Sequence, residues 1–207
     1  MPQSLREKVY DNIKKDILNG EIRTTDILTE KEMIRRFNVS KSPVRDAFIE
    51  LCNDEILESI PRLGYRIVEY STEYLDSIVA FRHEMEPLYL EKYFHRITDG
   101  NIEILSELHH KYDNQDKSIV ANYWASNQEF HLKLASFYKD PFFYEVLQNA
   151  MNKQMIVFSQ YYWNHWDRSV FNIYHHQHDK LLVLLRKRDL PQIKKELQKD
   201  ISSFMQV

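Results

Sequence analysis

Three glycines, at positions 20, 64 and 100, are all that this 207-residue chain contains, together with six prolines. Folds rich in sheet place turn residues about every 8–12 positions, so scarcity on this scale predicts a mainly helical chain. Regular alternation of strands and helices is absent too. The helical period breaks clearly once, in the stretch ILESIPRLGYRIVEY. There two short β-prone runs, Ile56–Ile60 and Tyr65–Val68, flank Pro61-Arg62-Leu63-Gly64, and the pattern predicts a small hairpin.

Three helices are expected ahead of it. Leu5, Val9, Ile13 and Ile17 recur every four residues and write one apolar stripe, closed by Asn19-Gly20. Thr29-Glu30-Lys31-Glu32 reads as a capping box opening a helix that carries Met33, Ile34 and Phe37 and stops near Asn38. A third helix opens at Ser42-Pro43 and turns Val44, Ala47, Phe48 and Leu51 inward. Three helices and a hairpin within 70 residues outline a winged helix-turn-helix. From Ser71 on, the chain reads as helix throughout, with breaks at Thr98-Asp99-Gly100, near Asp116, at Asp140-Pro141, near Asp167 and at Asp189-Leu190-Pro191. Six helices follow, over about 73–96, 101–115, 118–138, 141–163, 168–187 and 190–205. The expected architecture is a head over residues 1–70 and an all-α helical bundle over 71–207.

With 43% hydrophobic and 29% charged residues, the composition is that of a globular protein. No run of 18 apolar residues is present, and the amphipathic N-terminus lacks the apolar core of a signal peptide. The lone Cys52 has no internal partner, which suits a reducing cytoplasm. The net charge of −3 conceals polarity: Lys31 to Arg45 holds five cations and one acid, whereas Asp46 to Glu58 holds five acids and no cation. A helix start normally attracts acids, because its free amides carry partial positive charge. Placing Ser40, Lys41, Ser42 and Arg45 there suits an anionic partner: phosphates for the amides, and base edges for Arg45. Arg62, at the hairpin tip, is placed to enter the adjacent minor groove. The plain alternative is a solvated charged face.

The run NVSKSPVRDAFIEL, with the hairpin after it, resembles the DNA-binding domain of the GntR family of bacterial transcription regulators. The helical remainder is similar, through spacing, to that family's FadR-type effector domain, FCD. The resemblance implies a homodimer on double-stranded, pseudo-palindromic operator DNA, most often a repressor, whose grip changes when a small metabolite binds. It places DNA contacts on Lys31, Ser40, Lys41, Ser42, Arg45 and the Gly64 wing tip. Lys31 stands where arginine is frequent in the family.

Asn127 and His131 lie four apart on one helix face; His178 begins a later apolar run, and Asp200 lies on the last helix. Taken alone, such a histidine is more often a hydrogen-bonded core residue than a ligand. The FCD resemblance implies that Asn127, His131, His178 and Asp200 are the positions of a divalent metal site (zinc, nickel, manganese or iron). Two of the four depart from the family pattern: Asn127 replaces an acid and Asp200 a histidine. The resemblance also turns Arg82, four residues before Glu86, toward a small carboxylate effector, against the plain alternative of an intrahelical ion pair. The aromatic stretch Phe158, Tyr161, Tyr162, Trp163, Trp166 and Phe171 either roofs a ligand cavity, with Tyr161 contacting the effector, or forms core and dimer surface. His109, His110, His175 and His176 carry no pairing readable from spacing, the last two being expected at the surface.

Two other functions fit part of the pattern. Two histidines and a carboxylate around a metal suit an enzyme acting on a small carboxylic acid, but no nucleophile or general base accompanies them. A helical interaction module whose head binds protein is the other.

Overall fold

The structure, a computed structural model, describes residues 3–112, 120–162 and 170–203. Their element order is α1 (Leu5–Asn19), α2 (Glu30–Phe37), α3 (Lys41–Asn53), β1 (Leu57–Ile60), β2 (Gly64–Ile67), α4 (Thr72–Tyr93), α5 (Asp99–His110), α6 (Val120–Ser136), α7 (Pro141–Tyr162), α8 (Val170–Lys187) and α9 (Leu190–Ser202). This is a mainly α fold: three helices and a hairpin, then six helices. The breaks expected near Asp116 and Asp167 fall outside the described residues. Two compact units result, one of Met1–Thr72 with Met155–Asn164, the other of Glu73–Gln154 with His165–Val207. Helix α7 contributes to both.

In the first unit, Val9, Ile13 and Ile17 of α1 meet Val44, Ala47, Phe48 and Leu51 of α3, all of them buried. Leu5, the first member of the expected stripe, is 53% exposed, because the first turn of α1 reaches beyond that core. A Ser4–Glu7 capping box opens α1, and Gly20 closes it in the left-handed conformation. Thr29 caps α2 by accepting from the Glu32 amide (3.2 Å). The two strands pair antiparallel, Leu57 opposite Ile67 and Ile60 opposite Gly64. A third segment joins them: Leu28 and Tyr65 exchange backbone hydrogen bonds of 2.7 and 2.9 Å. Gly64 makes that close approach possible. Its φ is +144°, and a Cβ there would lie 2.3 Å from the Leu28 carbonyl oxygen. Beyond β2, the Gln160 side chain donates to the Val68 carbonyl (2.6 Å) and accepts from the Tyr70 amide (3.2 Å), clamping the chain as it leaves the hairpin.

In the second unit, α4 to α9 enclose a core that includes Leu75, Leu90, Leu105, Phe130, Leu147, Leu185 and Leu197. Thr98 caps α5 and Asp189 caps α9 through the Asn101 and Gln192 amides. Asp140 caps α7, accepting from the Phe143 amide (3.0 Å) and the Tyr93 hydroxyl (2.9 Å). Pro87 sits inside α4 and has no N–H for the His83 carbonyl. The Gln198 side chain of α9 donates to that carbonyl instead (3.3 Å), so the interior proline also ties two helices together.

Candidate DNA-binding head and effector site

Helix α3 starts one residue before the expected cap. Ser40, not Ser42, is its N-cap, Lys41 is the first helical residue and Pro43 the third. The Ser40 hydroxyl makes no capping bond, and the first turn holds no acid. The amides at this helix end therefore have no cap from the Ser40 side chain, which suits an incoming phosphate. Ser42 is turned to Asp46 (3.2 Å), and Lys41 makes a loose pair with Glu30 (3.5 Å). Lys31, Arg45 and Arg62 are exposed. The last lies in the turn between the strands, in a left-handed conformation with φ +68°. All seven residues named for DNA contact lie in the first unit. Gly64 has a role the sequence did not show: its missing side chain is required by Leu28 as well as by the hairpin.

In the second unit, residues from five helices meet in a buried polar cluster. His131 of α6 is the hub. Its Nδ1 donates to Glu86 Oε2 of α4 (2.6 Å) and its Nε2 to Asp200 Oδ2 of α9 (2.7 Å). His178 Nε2 of α8 lies 3.5 Å from the same Asp200 oxygen, and the His178 ring stacks on Phe130 at 3.8 Å. Glu86 also accepts from Arg82 Nε (2.7 Å), and Arg82 Nη1 donates to Gln154 Oε1 of α7 (2.7 Å). Asn127, one turn from His131 on α6, is buried as well. The structure thus brings Arg82, His131, His178 and Asp200 into one network, with Asn127 on the flank the spacing predicts.

Both bonds of His131 at once require the imidazolium. Burial alone would lower its pKa, but the Glu86 and Asp200 carboxylates outweigh that and push it up to about 9. Burial would likewise raise both carboxyls. Arg82 and His131 hold Glu86 below its ordinary value, and His178 and His131 hold Asp200 well below its own. Unpaired, any of these charges would be costly at such depth; together they compensate one another.

Arg82 is 1% exposed, so its pair with Glu86 is a buried structural link rather than a surface ion pair. Tyr161 has another partner than an effector: its hydroxyl donates to the Tyr70 carbonyl, and the residue belongs to the first unit. Phe158 is buried core. Trp163 and Trp166 lie outside the described residues, as do the side chains of Tyr162, Phe171, His175 and His176.

One member of the cluster, Gln154, and one neighbour of it, His109, were missed. Glu86 was expected only as the partner of Arg82 four residues before it, its bond to His131 45 residues away leaving no signal, and Gln154 carried none, since Arg82 lies 72 residues away. His109 is buried, with Nε2 3.0 Å from Asp179 and its ring 5.5 Å from that of His178. Its place was readable, because Ile102, Leu105 and His109 share one face of α5.

Chemically, one nitrogen from each of His131 and His178 and one oxygen of Asp200 all lie within 4.8 Å of one another. Two imidazoles and a carboxylate are a donor set for zinc, nickel, manganese or iron, and Glu86 on His131 Nδ1 is the outer partner that fixes a ligating imidazole. The residues present fit a metal.

A winged head with cations gathered from Lys31 to Arg45, joined to a helical domain with a buried polar site, has the make-up of a DNA-binding transcription regulator. The description "Bacterial regulatory proteins, gntR family" matches residues 5–67 and the FCD domain residues 77–202, so the chain belongs to the GntR family of the FCD type. YdhC of Bacillus subtilis (strain 168), an HTH-type transcriptional regulator, is 29% identical over 133 residues, 62% of this chain and 58% of YdhC. The HTH-type transcriptional repressor RspR of Escherichia coli (strain K12) is 24% identical over 148 residues, 71% of this chain and 65% of RspR. The matches therefore span less than two thirds of either relative's length. In fold the chain is similar to E. coli McbR/YncC, with TM-score 0.77 at 19% identity over 99% of this chain and 96% of that one. A GntR regulator from Rhodococcus sp. RHA1 gives 0.73 at 17% identity over 97% and 95%. The family and these relatives are transcription regulators, not a class of enzymes. No helix among the described residues is long and apolar enough to cross a membrane.

Proposed function

We propose that this chain is a ligand-responsive repressor that acts in the cytoplasm as a homodimer. Residues 1–70 form the head that grips operator DNA, and residues 71–207 form the domain that binds a small carboxylate effector. One observation supports this reading most: a buried His131–His178–Asp200 cluster shares a network with the buried cation Arg82. A soluble apolar core has no need of such a group of charges, whereas a site for a metal and an anionic ligand does.

On the DNA side, Arg45 reads a base edge, while Ser40, Lys41, Ser42 and the open amides of α3 hold phosphates. Lys31 contacts the backbone and Arg62, at the wing, enters the minor groove. Two heads reading two half-sites require a dimer. Repression is the sense that RspR carries in its name.

On the effector side, His131, His178 and Asp200 would hold a divalent metal, with the Asn127 amide, one turn from His131, as a candidate fourth donor. Such a metal would supply a Lewis-acidic seat for a carboxylate oxygen. Arg82, bonded to Glu86, is a fixed cation of the same network. Tyr161 is left out of the effector set, because its hydroxyl is taken by Tyr70. The effector shifts DNA affinity by as much as its own affinity differs between the two states of the protein.

A gel shift with the DNA upstream of this gene tests the whole reading. Retardation that disappears in Arg45→Ala and changes with small carboxylates is expected. A duplex left unshifted by the parent protein at low salt would overturn the proposal.

A further inference from the structure

Two buried donors in the cluster lack an acceptor. Arg82 uses Nε on Glu86 and Nη1 on Gln154, but its Nη2 is buried with no hydrogen-bond partner among the described residues. Gln154 is 0% exposed and its Nε2 is equally unpartnered. The orientation of that amide is not arbitrary. A guanidinium carries only donors, so Gln154 must present its oxygen to Arg82, and its NH2 group is thereby aimed away. A buried donor without an acceptor is costly, more so when charged, and folded proteins keep few of them. Here two occur on side chains that are bonded to each other. A single missing group explains both, provided that it brings two acceptors and no donor.

We infer that Arg82 Nη2 and Gln154 Nε2 form a two-donor subsite for a carboxylate group, and that Gln154 on α7 makes the site selective for the anion. This inference rests on the effector reading above and names its specificity residue. A carboxylate offers one oxygen to each donor. An ammonium group or the NH2 edge of an amide would set donor against donor at the same place. Charge balance favours the same class. A divalent cation on His131, His178 and Asp200 would displace the His131 proton, so Arg82 and the metal would face Glu86 and Asp200 and leave one net positive charge. An anion restores neutrality where a neutral ligand does not.

Gln154→Glu separates this role from a structural one. Glutamate keeps an acceptor for Arg82, and as an anion it pairs with that cation, so the fold is retained. It removes the donor and repels an incoming carboxylate. Gln154→Met, of similar length, removes both polar atoms and serves as a second variant. The full chain, with one equivalent of nickel or zinc, is titrated with acetate, glycolate, lactate and succinate, and with acetamide, glycolamide, lactamide and succinamide. Thermal shift and calorimetry are the readouts.

The parent is expected to be stabilised and bound by at least one of the acids and by none of the amides. Gln154→Met should weaken that binding by about 10–100-fold, and Gln154→Glu should abolish it while unfolding no earlier than the parent. Equal response to acids and amides would overturn the inference, as would no response to any of the acids, or an undiminished response in Gln154→Glu. Gel shifts run beside the titrations keep the two proposals apart. Loss of DNA binding with the acid response intact removes the regulator reading alone. DNA binding with no acid selectivity removes the subsite alone.

Discussion

Gly64 is required by geometry before any question of DNA arises. With φ at +144° and the Leu28 carbonyl oxygen 2.3 Å from where a Cβ would stand, Gly64→Ala strains the backbone and pushes Leu28 off the hairpin. The strain alone is worth about 1–3 kcal/mol. The hairpin and α1–α3 should lose protection from hydrogen exchange in this variant, while α4–α9 keep theirs. Arg45 and Lys41 separate differently. An Arg45→Ala change should weaken operator binding about 10–100-fold and relax preference at one base position. Lys41→Ala should weaken binding to all duplexes alike and lower the salt slope by about one. At the buried cluster, His131→Ala removes the hub of the ligand set. Protein purified without a histidine tag should carry metal at near stoichiometric level in the parent and at most about a tenth of that in the variant, a change of the size lost with a first-row metal ligand. Equal metal in both would end the assignment.

Among the elements, those with a local signature were legible. The face of α3, Val44, Ala47, Phe48 and Leu51, is buried as its spacing predicts, because a helix shows its core side every three or four residues. The hairpin was legible from the change of period. Its third partner, Leu28, was not, since one bridging residue 37 positions from Tyr65 leaves no pattern in the chain. The start of α3 was misplaced because Ser40 and Ser42 both satisfy the rule for a cap, and only the backbone decides between them. In the buried cluster, the family pattern reached His131, His178 and Asp200. Glu86 was legible beside Arg82 on its own helix, but its bond to His131 and the place of Gln154 stayed hidden, because those partners come from other helices. Asp140, which starts α7, gives a test at this scale. Hydrogen bonds from the Phe143 amide and the Tyr93 hydroxyl hold its carboxyl below the ordinary value. A depressed carboxyl stabilises the fold in full above its unfolded pKa and loses that contribution as pH falls through the folded one. Asp140→Ala should therefore melt below the parent at neutral pH, and the gap should close in acid.

At the scale of the whole molecule, the charge pattern matters more than the net charge of −3. The cations are gathered from Lys31 to Arg45, where the proposed DNA contacts lie, and the acids follow from Asp46 to Glu58. Operator affinity should fall linearly on a log–log plot against salt, with a slope of about −0.9 for each phosphate neutralised. The Gln160 clamp carries a consequence of another kind. One amide side chain grips Val68 and Tyr70 just before the first long helix begins, so the last residues of the first unit are a fastened strap rather than a loose string. Gln160→Ala unfastens it: the Tyr70 amide should then exchange with solvent about fivefold faster, as loss of about 1 kcal/mol implies.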